Sequence, residues 1–218
     1  MKLPPMEGAL ARWYARQRRS ASQLAAYRDQ AAQLVDGLPD GTEVLEVAPG
    51  PGYLVIEMAR LGRVRVTGLD ISRSFLAIAA ENARQAGVRV DFRQGDAASL
   101  PFDAESFDLV VCQAAFKNFA RPLGALDEMH RVLRSGGRAV IHDMRRDASD
   151  ANIDQEVRRM GLGWVNGFMT KWPLVLLRRR AYSPAQFQRL AAESAFRTCD
   201  IQPQGIGMEV RLNKQAAV

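Results

Sequence analysis

The stretch VLEVAPGPGYLVIEMAR at residues 44–60 decides the fold of this chain. Its apolar start, Val44–Val47, predicts a short buried strand, and Tyr53–Leu61 predicts a helix. Between them lies a bend of proline and glycine at residues 48–52. A strand that runs through such a bend directly into a helix is typical of open α/β sheets, which bind ligands beyond the carboxyl ends of their strands. We therefore expect a cofactor to lie at this bend.

Two prolines limit what the bend can hold. Pro49 and Pro51 each remove a backbone N–H group and fix φ. A pyrophosphate needs several converging N–H donors, so the bend is poorly suited to NAD, FAD or ATP. It suits a cofactor that has an amino-acid head and no phosphate.

Further strands and helices alternate on either side of this stretch. Strands are predicted at Val64–Leu69, Val88–Phe92, Phe107–Cys112 and Arg138–Asp143, with helices between them. Such alternation implies parallel strands joined by right-handed crossovers. Near the end of the chain, Thr198–Gln202 and Met208–Asn213 follow each other too closely for a parallel pair, so we expect a final antiparallel hairpin.

Two acidic residues follow successive strands of this sheet. Asp70 ends the second strand, eighteen residues after Gly52, where a carboxylate accepts hydrogen bonds from ribose hydroxyls. Asp96 ends the third strand and could accept from the amino group of adenine. The alternative is that both are ordinary turn residues, which often carry acidic side chains.

Composition narrows the class of protein. The chain has 218 residues, of which 47% are hydrophobic and 25% charged, which fits a globular protein better than a disordered one. No apolar run approaches the roughly 20 residues of a membrane span, and the N-terminus has no signal-peptide pattern. Only two cysteines are present, which excludes a disulfide framework or a zinc module. We expect a cytoplasmic protein without a metal site.

The net charge of +6 is concentrated near the end of the chain. Residues 143–218 contain twelve basic and eight acidic residues. The basic excess is compatible with a nucleic-acid partner, with an ordinary solvated surface, or with arginines that attract an anionic small substrate.

Four motifs together resemble the class I S-adenosylmethionine (SAM) dependent methyltransferases, in the branch of ubiquinone/menaquinone-biosynthesis C-methyltransferases and their small-molecule relatives. Besides residues 44–60, the motifs are TGLDIS (67–72), QGDAASLPFDAESFDLVVC (94–112) and LDEMHRVLRSGGRAVIHDM (126–144). The resemblance is strong over Thr42–Asp143 and weak over the final hairpin. It implies SAM as cofactor and an α/β fold with a Rossmann-like open sheet of about seven strands, mostly parallel, with an antiparallel last strand and helices on both faces.

The resemblance also implies which residues bind the cofactor. The methionine part of SAM would lie beside the bend and the residues that follow the fourth strand, its ribose beside Asp70, and its adenine beside the residues that follow the second and third strands. These residues are Glu46, Ala48, Pro49, Gly50, Gly52, Asp70, Ile71, Asp96, Ala97, Gln113 and Ala114. One departs from the family pattern, since Ala48 stands where the first glycine of the motif is expected.

Candidates for the acceptor side lie near the ends of the fourth and fifth strands. Lys117 could pair with an anionic substrate or act as a base, and Asp143 matches an acidic position of the family; the alternatives are a surface lysine and a structural carboxylate. His142 is either a base or a core histidine. The family often has a pair of histidines after the fourth strand, where this chain has Ala115–Phe119. Aromatic residues that could enclose the acceptor are Tyr14, Phe116, Trp164 and Trp172.

The sequence thus predicts a single methyltransferase domain over residues 1–218. We expect an N-terminal helical lid at 1–41, a SAM-binding core at 42–143, an inserted cap at 144–185, and a last helix with the hairpin at 186–218. The predicted function is in-line transfer of a methyl group from SAM to a small-molecule acceptor, aromatic or anionic, with no nucleic-acid partner favoured. RNA methylation and a non-catalytic SAM-binding regulator remain alternatives, and the sequence leaves open whether O, N, S or C is methylated.

Overall fold

A computed structural model describes residues 5–159 and 172–216 of the chain. These residues form a seven-stranded sheet flanked by helices. The strands are β1 (Thr42–Val47), β2 (Val64–Asp70), β3 (Asp91–Gln94), β4 (Phe107–Gln113), β5 (Leu133–Met144), β6 (Asp200–Gln204) and β7 (Gly207–Asn213). The helices are α1 (Gly8–Gln17), α2 (Ala21–Val35), α3 (Tyr53–Arg60), α4 (Arg73–Ala86), α5 (Pro122–Val132), α6 (Asp150–Arg159), α7 (residues 172–178) and α8 (Pro184–Glu193), with a 3₁₀ turn at Phe116–Asn118.

The strand order is β3-β2-β1-β4-β5-β7-β6. Strands β1 to β5 pair in parallel, whereas β7 is antiparallel to both β5 and β6. After β3 the chain crosses back to β4, which lies on the other side of β1. The order therefore reverses between β1 and β4, and the crevice beyond the carboxyl ends of these strands is where open α/β sheets bind ligands.

Apolar side chains alternate between two cores, one on each face of the sheet. Helices α2, α3 and α4 cover one face and share a core with Val44, Val111 and Val140. Helices α5 and α8 cover the other face. Because side chains of a strand alternate between faces, Glu46, Gln113 and His142 point to the face that α2 covers. Three polar side chains from different strands therefore lie beneath helix α2.

The predicted fold class is confirmed, including the final antiparallel hairpin. The strand boundaries differ from the prediction by up to five residues, and most in the third and fifth strands. The third strand is Asp91–Gln94 rather than Val88–Phe92, since Val88 and Val90 pack against the α2–α4 core before the strand begins. The fifth begins at Leu133 rather than Arg138, because Gly136 and Gly137 lie inside the strand. Among the described residues, no helix has the length and apolar character that spanning a bilayer would require.

Candidate functional site

The bend between β1 and α3 is a tightly folded turn. Its residues Ala48, Gly50 and Gly52 all have positive φ, at 59°, 54° and 80°. A methyl group added to Gly52 would lie 2.8 Å from Cβ of Ala79, so only glycine allows α3 to pack this closely on α4. Around Gly50, in contrast, an added methyl group would meet no atom within 4 Å. The bend is therefore tight against the protein on one side and open on the other.

No backbone N–H group of the bend is left over for a ligand phosphate. Ala48 donates its N–H to the carbonyl of Leu69 (2.7 Å), Gly52 donates to the carbonyl of Pro49 (3.0 Å), and Gly50 donates to the carboxylate of Asp70 (3.0 Å). The two other residues of the bend are prolines, which have no N–H. The bend therefore lacks the converging donors by which glycine-rich turns bind pyrophosphate.

Asp70 is fixed beside this bend at the end of β2. Its two carboxylate oxygens accept the N–H groups of Gly50 (3.0 Å) and Ser72 (2.9 Å), and the residue is only 5% exposed. Burial raises its pKa, against the effect of these N–H donors, which favour the ionised form. Since a carboxylate offers about four acceptor positions, Asp70 keeps acceptor capacity for a ribose hydroxyl.

The N-terminal segment forms hydrogen bonds with the start of α4, which follows Asp70. Ser72 Oγ donates to the carbonyl of Met6 (2.7 Å), and the Glu7 carboxylate accepts the N–H groups of Arg73 and Ser74 at the start of α4. Helix α1 then places Tyr14 edge-on against Phe75, with 5.7 Å between ring centroids. The structure thus brings Tyr14, which was predicted on the acceptor side, next to the helix that begins after Asp70.

The remaining adenine candidates lie around the ends of β2 and β3. Asp96 accepts the N–H of Ala98 (2.9 Å) and pairs with Arg121 (3.0 Å). Ala97 is buried, and Ile71 is 51% exposed, which leaves its apolar side chain available to a flat ring. These three residues border the same carboxyl edge as Asp70.

Gln113 and His142 belong to a hydrogen-bonded chain that crosses the α2 face. Gln30 Nε2 lies 2.7 Å from Gln113 Oε1 and 3.0 Å from His142 Nδ1, and His142 Nε2 lies 2.8 Å from a carboxylate oxygen of Glu209 on β7. Burial lowers the pKa of His142, while the Glu209 carboxylate opposes that effect. Both ring nitrogens already have partners, so this geometry suits His142 to orient Gln113 through Gln30. Ala114, which follows Gln113, donates its N–H to the carbonyl of His142 (2.7 Å).

Lys117 and Asp143 form a buried ion pair. Lys117 Nζ lies 2.7 Å from Asp143 Oδ1, with side chains 7% and 4% exposed. The Asp143 carboxylate also accepts the backbone N–H groups of Lys117 (2.8 Å) and Met144 (2.7 Å). Lys117 Nζ donates in addition to the carbonyl of Ala114. The pair thus ties the 3₁₀ turn after β4 to the end of β5, in the region where the acceptor was predicted.

Two further aromatic residues predicted on the acceptor side, Phe116 and Trp172, differ in exposure. Phe116 is fully buried and packs against Phe119, Tyr182 and Phe187, so its ring belongs to the core rather than to an open surface. Trp172, in α7, is 58% exposed. Trp164 lies outside the described residues.

Glu46 is the most unusual carboxylate of the site. It is 1% exposed, and its Oε2 has no hydrogen-bond partner. Burial raises its pKa to about 8, although the backbone N–H of Val55 favours the ionised form. A buried carboxylate oxygen without a partner is rare, because it costs desolvation energy without compensation.

Replacing Glu46 with glutamine should change how stability depends on pH. The unfolded chain loses this proton near its ordinary pKa of 4.5, whereas the folded protein holds it up to a pKa of about 8. The native state therefore binds more protons between these values, and wild-type stability falls as pH rises, by at most about 1.4 kcal/mol per pH unit. Glu46→Gln should match the wild type near the acidic end of this range and exceed it increasingly towards the upper end. Urea unfolding at several pH values across the range measures the free energy of unfolding of both proteins. A constant difference between variant and wild type at all pH values would contradict the prediction.

Two residues of the polar network in this site were missed in the sequence, Gln30 and Glu209. A signal for Gln30 was available, since it is a polar residue on the apolar face of α2, between Tyr27 and Leu34 at helical spacing. Glu209 lies beside His142 in the pairing of β7 with β5, a neighbourhood that only the topology defines.

Comparisons with known proteins give matches to methyltransferases over part of the chain. Residues 45–141 match the family model described as a methyltransferase domain. A demethylmenaquinone methyltransferase from Deinococcus radiodurans is 39% identical over 107 residues, which cover 49% of this chain and 44% of the relative. A ubiquinone/menaquinone biosynthesis C-methyltransferase from Rhizobium meliloti is 40% identical over 110 residues, covering 47% of this chain and 43% of that relative. The matched stretch thus spans less than half the length of these relatives.

Solved structures share the fold over more of the chain. A SAM-dependent methyltransferase from Aquifex aeolicus has a TM-score of 0.69 at 16% identity and covers 93% of this chain and 97% of its own. The [4+2]-cyclase SpnF has a TM-score of 0.54 at 32% identity, covering 60% of this chain and 49% of its own. The fold is therefore shared with proteins of more than one named activity.

Proposed function

We propose, from the match of residues 45–141 to a methyltransferase domain, that the protein transfers a methyl group from SAM to a small-molecule acceptor. The observation that carries the proposal is the bend after β1. It is open at Gly50, yet every N–H of residues 48–52 is either absent or bonded within the protein. A ligand that has no phosphate group can lie close to the backbone of such a bend.

The residues present fit SAM. The cationic amine of its amino-acid head would satisfy Glu46 Oε2, which otherwise has no partner. Asp70 has acceptor positions left for the ribose hydroxyls, and Asp96, Ala97 and Ile71 border the place of the adenine. Gln113 and Ala114 would lie beside the methionine end.

SAM supplies an activated methyl group on a sulfonium, so the demanding chemistry comes with the cofactor. The residues of this chain have to hold the acceptor in line with that group and keep water out. Positioning of this kind can supply on the order of 7–11 kcal/mol. For Lys117, Asp143 and His142 we propose positioning: each is engaged with protein partners, which fixes the turn after β4 and the side chain of Gln113.

For the acceptor we propose a small aromatic molecule, with hydroquinones as the first candidates. The two relatives are named as a demethylmenaquinone methyltransferase and a ubiquinone/menaquinone biosynthesis C-methyltransferase, although their similarity covers only 49% and 47% of this chain. Tyr14 from α1, and Trp172 and Trp164 from the predicted cap, are the aromatic side chains we propose for enclosing the acceptor.

A transfer assay tests the proposal. The full chain is incubated with SAM labelled on the methyl group and, in separate reactions, hydroquinones, phenols, amines, carboxylates and RNA, and products are identified by mass spectrometry. We expect label in a small molecule, with one S-adenosylhomocysteine formed per methyl group. An Asp70→Asn variant, which loses a ribose-binding carboxylate, serves as control and should give less product. Label in RNA would overturn the acceptor class, and bound SAM without transfer to any of these acceptors would overturn methyl transfer itself.

A further inference from the structure

Tyr182 lies beyond the carboxyl end of β5 and is fixed there through its backbone. It forms a parallel bridge with Arg145, which directly follows β5, and its carbonyl accepts the N–H of Arg146 (3.0 Å). The next residue, Ser183, caps helix α8 with its side chain. Because the chain is held both at Tyr182 and directly after it, this side chain starts from a fixed position at the edge of the sheet where the acceptor is expected.

Two buried aromatic residues hold the ring of Tyr182. Its centroid lies 5.8 Å from that of Phe116, in the 3₁₀ turn after β4, and 5.9 Å from that of Phe187 on α8. Phe116 and Phe187 are fully buried, whereas Tyr182 is half-buried. The core thus fixes the ring, which remains partly exposed beyond the ends of β4 and β5.

The hydroxyl of Tyr182 makes no hydrogen bond within residues 5–159 and 172–216. Burial raises the pKa of this phenol, and the negative charge of Asp143 adds to the effect. Both oxygens of that carboxylate already accept hydrogen bonds, from Lys117 and from the backbone of Met144. The phenol therefore stays protonated near neutral pH, and its O–H is left to donate to another group.

We propose that Tyr182 determines the specificity of the acceptor site, where its hydroxyl donates a hydrogen bond to an oxygen atom carried by an aromatic acceptor. The inference rests on the proposed function and deepens it with a residue from outside the matched stretch 45–141. Such a site prefers phenols and hydroquinones to aromatic molecules of similar shape without oxygen, because the analogue loses the hydrogen bond.

A cycle of two ligands and two proteins tests this hydrogen bond. The probes are 1-naphthol and 1-methylnaphthalene, which has the same rings and no oxygen, each titrated into protein saturated with S-adenosylhomocysteine. Tyr182→Phe removes only the hydroxyl and keeps the ring against Phe116 and Phe187. It should weaken binding of 1-naphthol roughly 3- to 10-fold, the value of one hydrogen bond between neutral groups. Binding of 1-methylnaphthalene should stay within about twofold, as expected for a ligand that forms no such bond.

Tyr27→Phe is the matched control. It also removes a phenolic hydroxyl, but from α2, which covers the other face of the sheet. It should change the affinity for neither probe. Binding of S-adenosylhomocysteine by Tyr182→Phe, measured in the same way, should match the wild type and shows that the variant is folded.

The outcomes separate this hydrogen bond from the proposed methyl transfer. A loss confined to 1-naphthol supports the inference. An equal loss for both probes, no loss for 1-naphthol, or no binding of either probe by the wild-type complex would overturn it. If the wild-type protein shows that preference for 1-naphthol but transfers no methyl group in the assay above, the proposed function fails while the hydrogen bond is retained.

Kinetics with the acceptor that takes up label provide a second measurement. Tyr182→Phe should raise the KM of that acceptor by the same factor, because the hydrogen bond forms in the ground state and the transition state alike. The kcat and the KM of SAM should stay within about twofold of the wild type, as expected when only this binding contact is lost. A lower kcat at an unchanged acceptor KM would overturn the role in binding.

Discussion

Replacing Gly50 with valine should reduce binding of S-adenosylhomocysteine at least about 100-fold, the equivalent of roughly 3 kcal/mol. Gly50 has a φ of 54°, and an added Cβ would meet no protein atom within 4 Å. The side chain would therefore project into the open side of the bend, where we propose that the methionine part of the cofactor lies. Calorimetry measures the affinity.

Gly62→Val is the matched control for this prediction. Gly62 also has a positive φ, at 70°, and open space around its Cα, but it lies at the far end of α3. Both substitutions should lower stability by about 1–2 kcal/mol, the penalty of a left-handed conformation for a residue other than glycine. Only Gly50→Val should lose ligand binding. Equal affinities of the two variants would mean that the open side of the bend is not the cofactor site.

Replacing Asp143 with alanine should lower the free energy of unfolding by about 3–5 kcal/mol, because it leaves the ammonium group of Lys117 buried without its partner. Lys117 and Asp143 are 7% and 4% exposed in their side chains, and the carboxylate accepts two backbone N–H groups besides the ion pair. Urea unfolding, followed by circular dichroism, measures the loss.

A second substitution distinguishes the buried charge from the lost carboxylate. Adding Lys117→Met to Asp143→Ala removes the unpaired charge and should restore part of the stability. Glu81→Ala, which breaks the exposed ion pair with Arg84, is the control and should have little effect. If the free energy of unfolding of Asp143→Ala were within about 1 kcal/mol of the wild-type value, this ion pair would stabilise the protein no more than a surface ion pair does. That result would contradict the prediction.

The bend and the sheet were predictable because their signals are local. Residues 44–60 contain the strand, the bend and the helix in one stretch, and Asp70 and Asp96 follow strands whose apolar pattern is clear. The methyltransferase resemblance, drawn from this stretch and three further motifs between residues 67 and 144, is confirmed by the family model over residues 45–141. Even Ala48, which departs from the family pattern, adopts the positive φ that the first motif glycine would allow.

The polar network beneath α2 was not predictable in the same way. Gln30 and His142 are 112 residues apart in sequence, and His142 and Glu209 are 67 apart. They meet because β5 pairs with β7 and α2 covers that face of the sheet. The partner of Lys117 depended on burial, which sequence does not reveal. The sequence allowed an anionic substrate, a role as base or a surface lysine, whereas the fold encloses Lys117 with Asp143.

The burial of Arg18 could not be predicted from the sequence either. In the sequence it is one of several arginines near the N-terminus. Only the fold shows that its neighbours Arg16 and Arg19 are exposed while its own Nε is buried between Tyr14 and Tyr27.

The most direct measurement for the whole account is a pair of calorimetric titrations of the full chain, one with S-adenosylhomocysteine and one with NAD. A nucleoside with an amino-acid head fits this bend, because its ammonium group can bind Glu46 Oε2, which has no partner. The pyrophosphate of a dinucleotide requires N–H donors, and every N–H group of residues 48–52 is already bonded within the protein. We predict saturable binding of S-adenosylhomocysteine and no detectable heat with NAD. Binding of NAD without binding of S-adenosylhomocysteine would contradict the central claim.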